Sequence, residues 1–89
     1  MHTQFFSDRV AIVTGAGKGI GQATAIAFSA LGASIVICGQ SREPVMHTVA
    51  LIEKSGGKAA MVIGDVSNES VAQETVSTAL REFGRLDLP

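Results

Sequence analysis

Seven residues, Gly15-Ala16-Gly17-Lys18-Gly19-Ile20-Gly21, stand between the apolar run Val10-Ala11-Ile12-Val13-Thr14 and an Ala-rich segment with helical spacing. A strand has to reverse into a helix across this turn, and that constrains the fold more than any other stretch. Glycine lacks a Cβ, takes positive φ freely and lets the backbone approach a bound group. The first amides of the following helix then point at that group, and the helix dipole favours an anion such as a pyrophosphate. The chain is expected to bind a nucleotide.

Runs at Ser34 to Cys38 and Ala59 to Ile63 share with Arg9 to Thr14 a richness in Val and Ile and little polar alternation, the pattern of strands buried on both faces. Helical spacing fills the gaps. It predicts Ile20, Ala23, Ala27 and Leu31 on the buried face of a first helix and Val45, Val49 and Ile52 on that of a second. A third helix carries Ala72, Val76, Ala79, Leu80 and Phe83 on its apolar side. Gly32 closes the first helix, Pro44 suits the first turn of the second and Ser55-Gly56-Gly57 ends it. Ser67 or Asn68 caps the third, and Gly84 terminates it.

The order β-α-β-α-β-α predicts a parallel sheet. Right-handed crossovers place the first two helices on one face if the strands are ordered 3-2-1, and the third helix on the other. Arg85-Leu86-Asp87-Leu88 has the character of an approach to a fourth strand, and the chain stops at Pro89. The expected fold is therefore α/β, a Rossmann-like parallel sheet with helices on both faces, truncated before strand four. Residues 1–8 are expected to form a tail and 9–89 a partial nucleotide-binding domain. The first strand is left as an edge through which another chain could pair.

Eighty-nine residues fit one domain, and a net charge of −1 lacks the electrostatic footprint of a nucleic-acid binder. No nucleic-acid partner is expected. The single Cys38 has no partner for an internal disulfide, which suits a reducing compartment and makes the cytoplasm the expected location. The start, Met1 to Asp8, lacks the positive flank and apolar core of a signal peptide, and no apolar stretch reaches the roughly 18 residues that span a bilayer. His2, His47 and Cys38 show no metal-ligand spacing, and no metal is expected.

The glycine spacing is not the general dinucleotide pattern G-x-G-x-x-G: counted from Gly15 the last position is Ile20, and counted from Gly17 it is Gln22. Nor is it a P-loop, because Lys18 is followed by Gly19 rather than Ser or Thr. A methyltransferase of this architecture usually has an acidic residue just before the turn, where this chain has Thr14. The pattern is T-G-x-x-x-G-x-G.

Thr14, Gly15, Gly19, Ile20 and Gly21 fit T-G-x-x-x-G-[IL]-G, and on these residues the chain resembles the short-chain dehydrogenase/reductase family. Gly64-Asp65-Val66 is similar to the family's D-V at the end of strand three, and Gly84-Arg85-Leu86-Asp87 to its G-x-[IL]-D before strand four. The resemblance covers essentially the whole chain. It implies the NAD(P)-binding portion of an enzyme that moves a hydride between a nicotinamide cofactor and a carbonyl or alcohol. It further implies that Gly15, Lys18, Gly19, Ile20 and Gly21 hold the pyrophosphate side and that Gly39, Gln40, Ser41 and Arg42 hold the adenosine ribose. Asp65 would hydrogen-bond the adenine amine, and Val66 would pack on the ring.

An acidic residue at the end of strand two accepts a hydrogen bond from the 2′-hydroxyl of NAD. Here that place is Gly39, and Lys18 stands where members favouring NADP often carry a basic residue. NADP is the preferred cofactor and NAD the alternative. Relatives selective for NADP often have Arg directly after the strand; here Gln40 occupies that place, with Ser41 and Arg42 as substitutes. The family's catalytic serine, its Y-x-x-x-K pair and its N-N-A-G segment find no counterpart in a chain without tyrosine, so no catalytic residue is assigned. A catalytically inactive nucleotide-binding or chain-pairing module is the alternative function.

Overall fold

In the computed structural model, which describes residues 7–15 and 19–86, the apolar runs and helical segments become β1 (Val10–Thr14), α1 (Gly19–Ala30), β2 (Ser34–Gly39), α2 (Arg42–Lys54), β3 (Ala59–Ile63) and α3 (Glu69–Phe83). The strands pair in parallel in the order β1-β2-β3, which is the expected 3-2-1 viewed from the other edge. β2 is central. Ala11 pairs with Ile35 and Ile35 with Ala59; Val13 pairs with Ile37 and Ile37 with Met61.

This register sorts alternate residues onto two faces. Ala11, Val13, Ile35 and Ile37 face Ala25 of α1 and Val45 and Ile52 of α2. Val10, Val36, Cys38 and Val62 face Ala79 of α3, with Val71 and Phe83 packed around them. Helices therefore cover both faces, and the four consecutive residues Ile35 to Cys38 are all buried. Among the described residues no helix is long and apolar enough to cross a membrane.

Local chemistry sets the helix ends. Asn68 caps α3 by accepting a 2.9 Å hydrogen bond from the Ser70 N–H, and Gly84 ends it at φ 80° with its N–H donating to the Leu80 carbonyl. Ser67, the other cap candidate, donates to Asp65 instead. β1 begins at Val10 rather than Arg9, and β2 runs on to Gly39.

Two helix faces differ from the spacing. Ile20 is 87% exposed, and Ala23 and Ala27 are exposed too, whereas Ala25 is fully buried with Phe28 packed beside it. The segment Gly19 to Ala30 is apolar on most sides, so periodicity alone selects no face. The turn of α1 against the sheet selects it: Ala25 faces the strands, while the equally small Ala23 and Ala27 face outward.

On α3 Ala79 is buried and Ala72 and Phe83 partly so, but Val76 and Leu80 are 40% and 52% exposed. Their expected places go to Thr75 and Thr78. The Thr75 hydroxyl donates to the Val71 carbonyl at 2.8 Å, which satisfies it inside the helix and leaves its methyl to pack. On α2 Val45 and Ile52 are buried as expected, with Val49 partly buried and Thr48 between them.

The revised α1 face makes a direct prediction. Ala25→Leu overpacks the sheet contact and should lower stability by about 1–3 kcal/mol in urea unfolding. Ala23→Leu, on the outer side, should change it by less than about 0.5 kcal/mol. Equal losses would place the wrong face against the sheet.

Candidate functional site

Because the strands are parallel, Thr14, Gly39 and Ile63 all end at the same edge of the sheet. Ligands of open α/β sheets bind outside the carboxyl ends of the strands. A cavity of about 260 Å³ lies at this edge, walled by Thr14 and Gly15 after β1, by Cys38 to Ser41 at the end of β2 and by Gly64 to Val66 after β3. Pro44 and Val45 in the first turn of α2 close it. Two hydrogen bonds carry the strand ladder into the loops: Gly15 N–H donates to the Cys38 carbonyl at 2.9 Å, and Gly64 N–H to the Gly39 carbonyl at 2.8 Å.

The walls are built close because the residues there are small. Gly15 and Gly19 take φ of +66° and +65°, a region that L side chains rarely adopt. Gly39 answers a different need. A Cβ at Gly39 would stand 2.6 Å from Val45 Cγ2, so α2 can approach the end of β2 only where that position has no side chain. α2 begins here with Ser41 as N-cap in an extended conformation, and its side chain makes no capping bond. Ser41 thus stands at the cavity with its hydroxyl free of a capping bond, and because Pro44 has no N–H, the Arg42 and Glu43 N–H groups are the donors at the positive end of the helix dipole.

Across the cavity Asp65 is exposed, and the N–H and hydroxyl of Ser67 donate to its Oδ1 at 2.9 and 2.8 Å. These bonds, the backbone one foremost, hold its carboxyl below the usual carboxylate range. At neutral pH it is an ionised acceptor. Val66 beside it leaves an apolar side chain 41% exposed. Cys38 forms part of the cavity wall as a buried thiol, its Sγ 3.8 Å from the Gly64 carbonyl.

Of the residues predicted from the sequence, Gly15, Gly39, Gln40, Ser41, Asp65 and Val66 line this one cavity. Gly19, Ile20 and Gly21 form the first turn of α1 and do not line it. Arg42 opens α2 as an exposed residue outside the lining, and Lys18 lies outside the described residues. Thr14, Cys38, Pro44, Val45 and Gly64 were missed. The strand-end rule pointed to Thr14, Cys38 and Gly64; Pro44 and Val45 became wall residues because the first turn of α2 packs beside Gly39.

The family model described as short chain dehydrogenase matches residues 9–88. The chain belongs to that family. It is 41% identical over 83 residues to an uncharacterised oxidoreductase of Thermotoga maritima, covering 93% of this chain and 32% of that protein. It is 40% identical over 81 residues to a 3-oxoacyl-[acyl-carrier-protein] reductase of Synechocystis, covering 90% of this chain and 33% of the relative. A hydroxysteroid dehydrogenase from Escherichia coli superposes with a TM-score of 0.89 at 32% identity, over 93% of this chain and 35% of that one. The chain thus spans about a third of the length of these relatives, and it carries the Rossmann-like portion of a family of NAD(P)-binding oxidoreductases.

The Gly39 contact is testable through its coupling. Gly39→Ala should destabilise the short-chain dehydrogenase fold here by about 1–3 kcal/mol. Combined with Val45→Ala it should cost at least about 1 kcal/mol less than the sum of the two single changes. Strict additivity in thermal unfolding would mean that the two positions do not touch.

Proposed function

We propose that this chain is the NAD(P)-binding part of a short-chain dehydrogenase/reductase that prefers NADP to NAD. The complete protein would transfer a hydride between NADP(H) and a carbonyl or alcohol substrate. Residues 9–89 form the nucleotide-binding unit and 1–8 a tail before it, and the single cysteine supports a cytoplasmic location.

The observation that carries the NADP preference is that the end of β2 bears no acid: it is Gly39, where a Cβ would come within 2.6 Å of Val45 Cγ2. A carboxylate at this position would bind the 2′-hydroxyl of NAD and repel the 2′-phosphate of NADP. Val45 occupies the space that its Cβ would need. With no acid there, the 2′-phosphate meets the first turn of α2, with the Ser41 hydroxyl and the Arg42 guanidinium close in sequence and Lys18 contributed by the glycine turn. The backbone of Gly15, Gly19, Ile20 and Gly21 takes the pyrophosphate. Asp65 accepts a hydrogen bond from the adenine amine, using the oxygen that Ser67 does not occupy, and Val66 packs on the ring. The bound cofactor supplies the hydride; the residues of this chain hold and orient it.

Isothermal titration of the chain with both cofactors tests the assignment. NADP should bind at least about tenfold tighter than NAD, a difference that one well-placed charge-assisted contact provides. Lys18→Ala should weaken NADP much more than NAD. Equal affinities would overturn the NADP preference, and binding of neither would overturn the cofactor role itself.

A second function, pairing with another chain, is favoured by the place of β1 at one edge of the described sheet and by the exposed Val76 and Leu80 on α3. Mixed with a full-length relative, the chain should then elute as a mixed species in size-exclusion chromatography. Separate elution would remove this function.

A further inference from the structure

Beside the cavity, a side-chain connection joins the two helices whose first turns serve the site. Gln22, in the first turn of α1, donates through Nε2 to Thr48 Oγ1 at 3.2 Å, and Thr48 Oγ1 donates in turn to the Pro44 carbonyl at 3.2 Å. Thr48 is fully buried, and Gln22 is half-buried. Pro44 is itself a wall of the cavity.

We propose that Gln22, Thr48 and the Pro44 carbonyl form a relay that positions the glycine-turn end of the cofactor site against its ribose end. The inference rests on the dinucleotide site described above. Gln22 lies three residues beyond Gly19, about 4.5 Å along the axis of α1, and so reports the position of the turn that takes the pyrophosphate. Pro44 lies in the turn of α2 that faces the ribose. Dispersion packing between the two helices would tolerate sliding, whereas a directional bond from a planar amide to a buried hydroxyl fixes both distance and angle. A dinucleotide touches both ends at once and is sensitive to their spacing. A ligand that touches one end is not.

The test compares NADP, which spans both ends, with 2′-AMP, which reaches only the ribose end. Both are titrated into the wild-type chain, into Gln22→Leu, Thr48→Val and Thr48→Ser, and into the double variant that combines Gln22→Leu with Thr48→Val. Gln22→Leu removes the bond between the helices, and Thr48→Val removes that bond together with the one to the Pro44 carbonyl; each should lower NADP affinity by about three- to tenfold. Affinity for 2′-AMP should stay within about twofold. Thr48→Ser, which keeps the hydroxyl, should restore NADP binding, and the double variant should be no worse than the poorer single one, as expected of residues acting as one unit. Proportional losses of both ligands, no loss of either, or multiplying effects in the double variant would overturn the relay while leaving the cofactor role standing. A wild-type chain that binds neither NADP nor NAD would overturn the cofactor role, and the relay with it.

Discussion

β2 is hydrogen-bonded on both sides and covered on both faces, and much of the rest of the molecule follows from that burial. A buried backbone must pair all its N–H and C=O groups, and here the partners are β1 and β3, both parallel to β2. Parallel neighbours cannot be joined by a tight hairpin, so each connection has to cross back through a helix. Because β1, β2 and β3 follow one another in order across the sheet, the strong rule for right-handed crossovers puts α1 and α2 on one face, and they pack there while α3 covers the other. The same geometry brings the three strand ends to one edge, where the cavity forms. The site is a consequence of pairing before it is a consequence of any side chain.

At that edge the useful groups are largely backbone. The ladder continues from Gly15 to Cys38 and from Gly64 to Gly39, which fixes the loops without committing large side chains to the task. What remains lining the cavity is mostly small or apolar residues, with Gln40, the Ser41 hydroxyl at the start of α2 and one carboxylate, Asp65, as its polar side chains apart from Thr14 and Cys38. Asp65 is held in shape by Ser67, and those bonds make it both a turn residue and an ionised acceptor. The structural and the functional accounts of this carboxylate are compatible, because the turn engages a single oxygen.

The strands and the glycine turn were legible because their signals are physical requirements: continuous apolar runs for two-sided burial, and glycine where φ is positive at Gly15 and Gly19. Helix orientation was less legible. In α1 nearly every position is small or apolar, so the one buried alanine, Ala25, is fixed by how the helix is rotated against the sheet, which hydrophobicity alone does not encode. In α3 Thr75 and Thr78 displace Val76 and Leu80 from the interior, since a threonine whose hydroxyl is satisfied by its own helix buries as well as a valine. Apolar periodicity is blind to that substitution. For the same reason it missed Thr48, and with it the connection between α1 and α2. Pro44 and Val45 escaped as site residues because their role depends on a tertiary approach that no local pattern encodes.

That approach also ties ligand choice to packing. An acid at position 39 would change the charge at the end of β2, but its Cβ would also come within 2.6 Å of Val45 Cγ2, a side chain of the core between α2 and the sheet. Charge and shape are therefore not independent variables at this site. With Val45 in place, any side chain at the end of β2 requires a shift in the packing of α2, so glycine there is favoured on grounds of stability as well as charge. Under the proposed NADP preference, two kinds of residue would act together: those that supply donors at the mouth, such as Ser41, and those, such as Val45, that crowd a side chain at position 39. Val45 supplies no polar group to the ligand in this scheme, yet it constrains which ligand the site can favour.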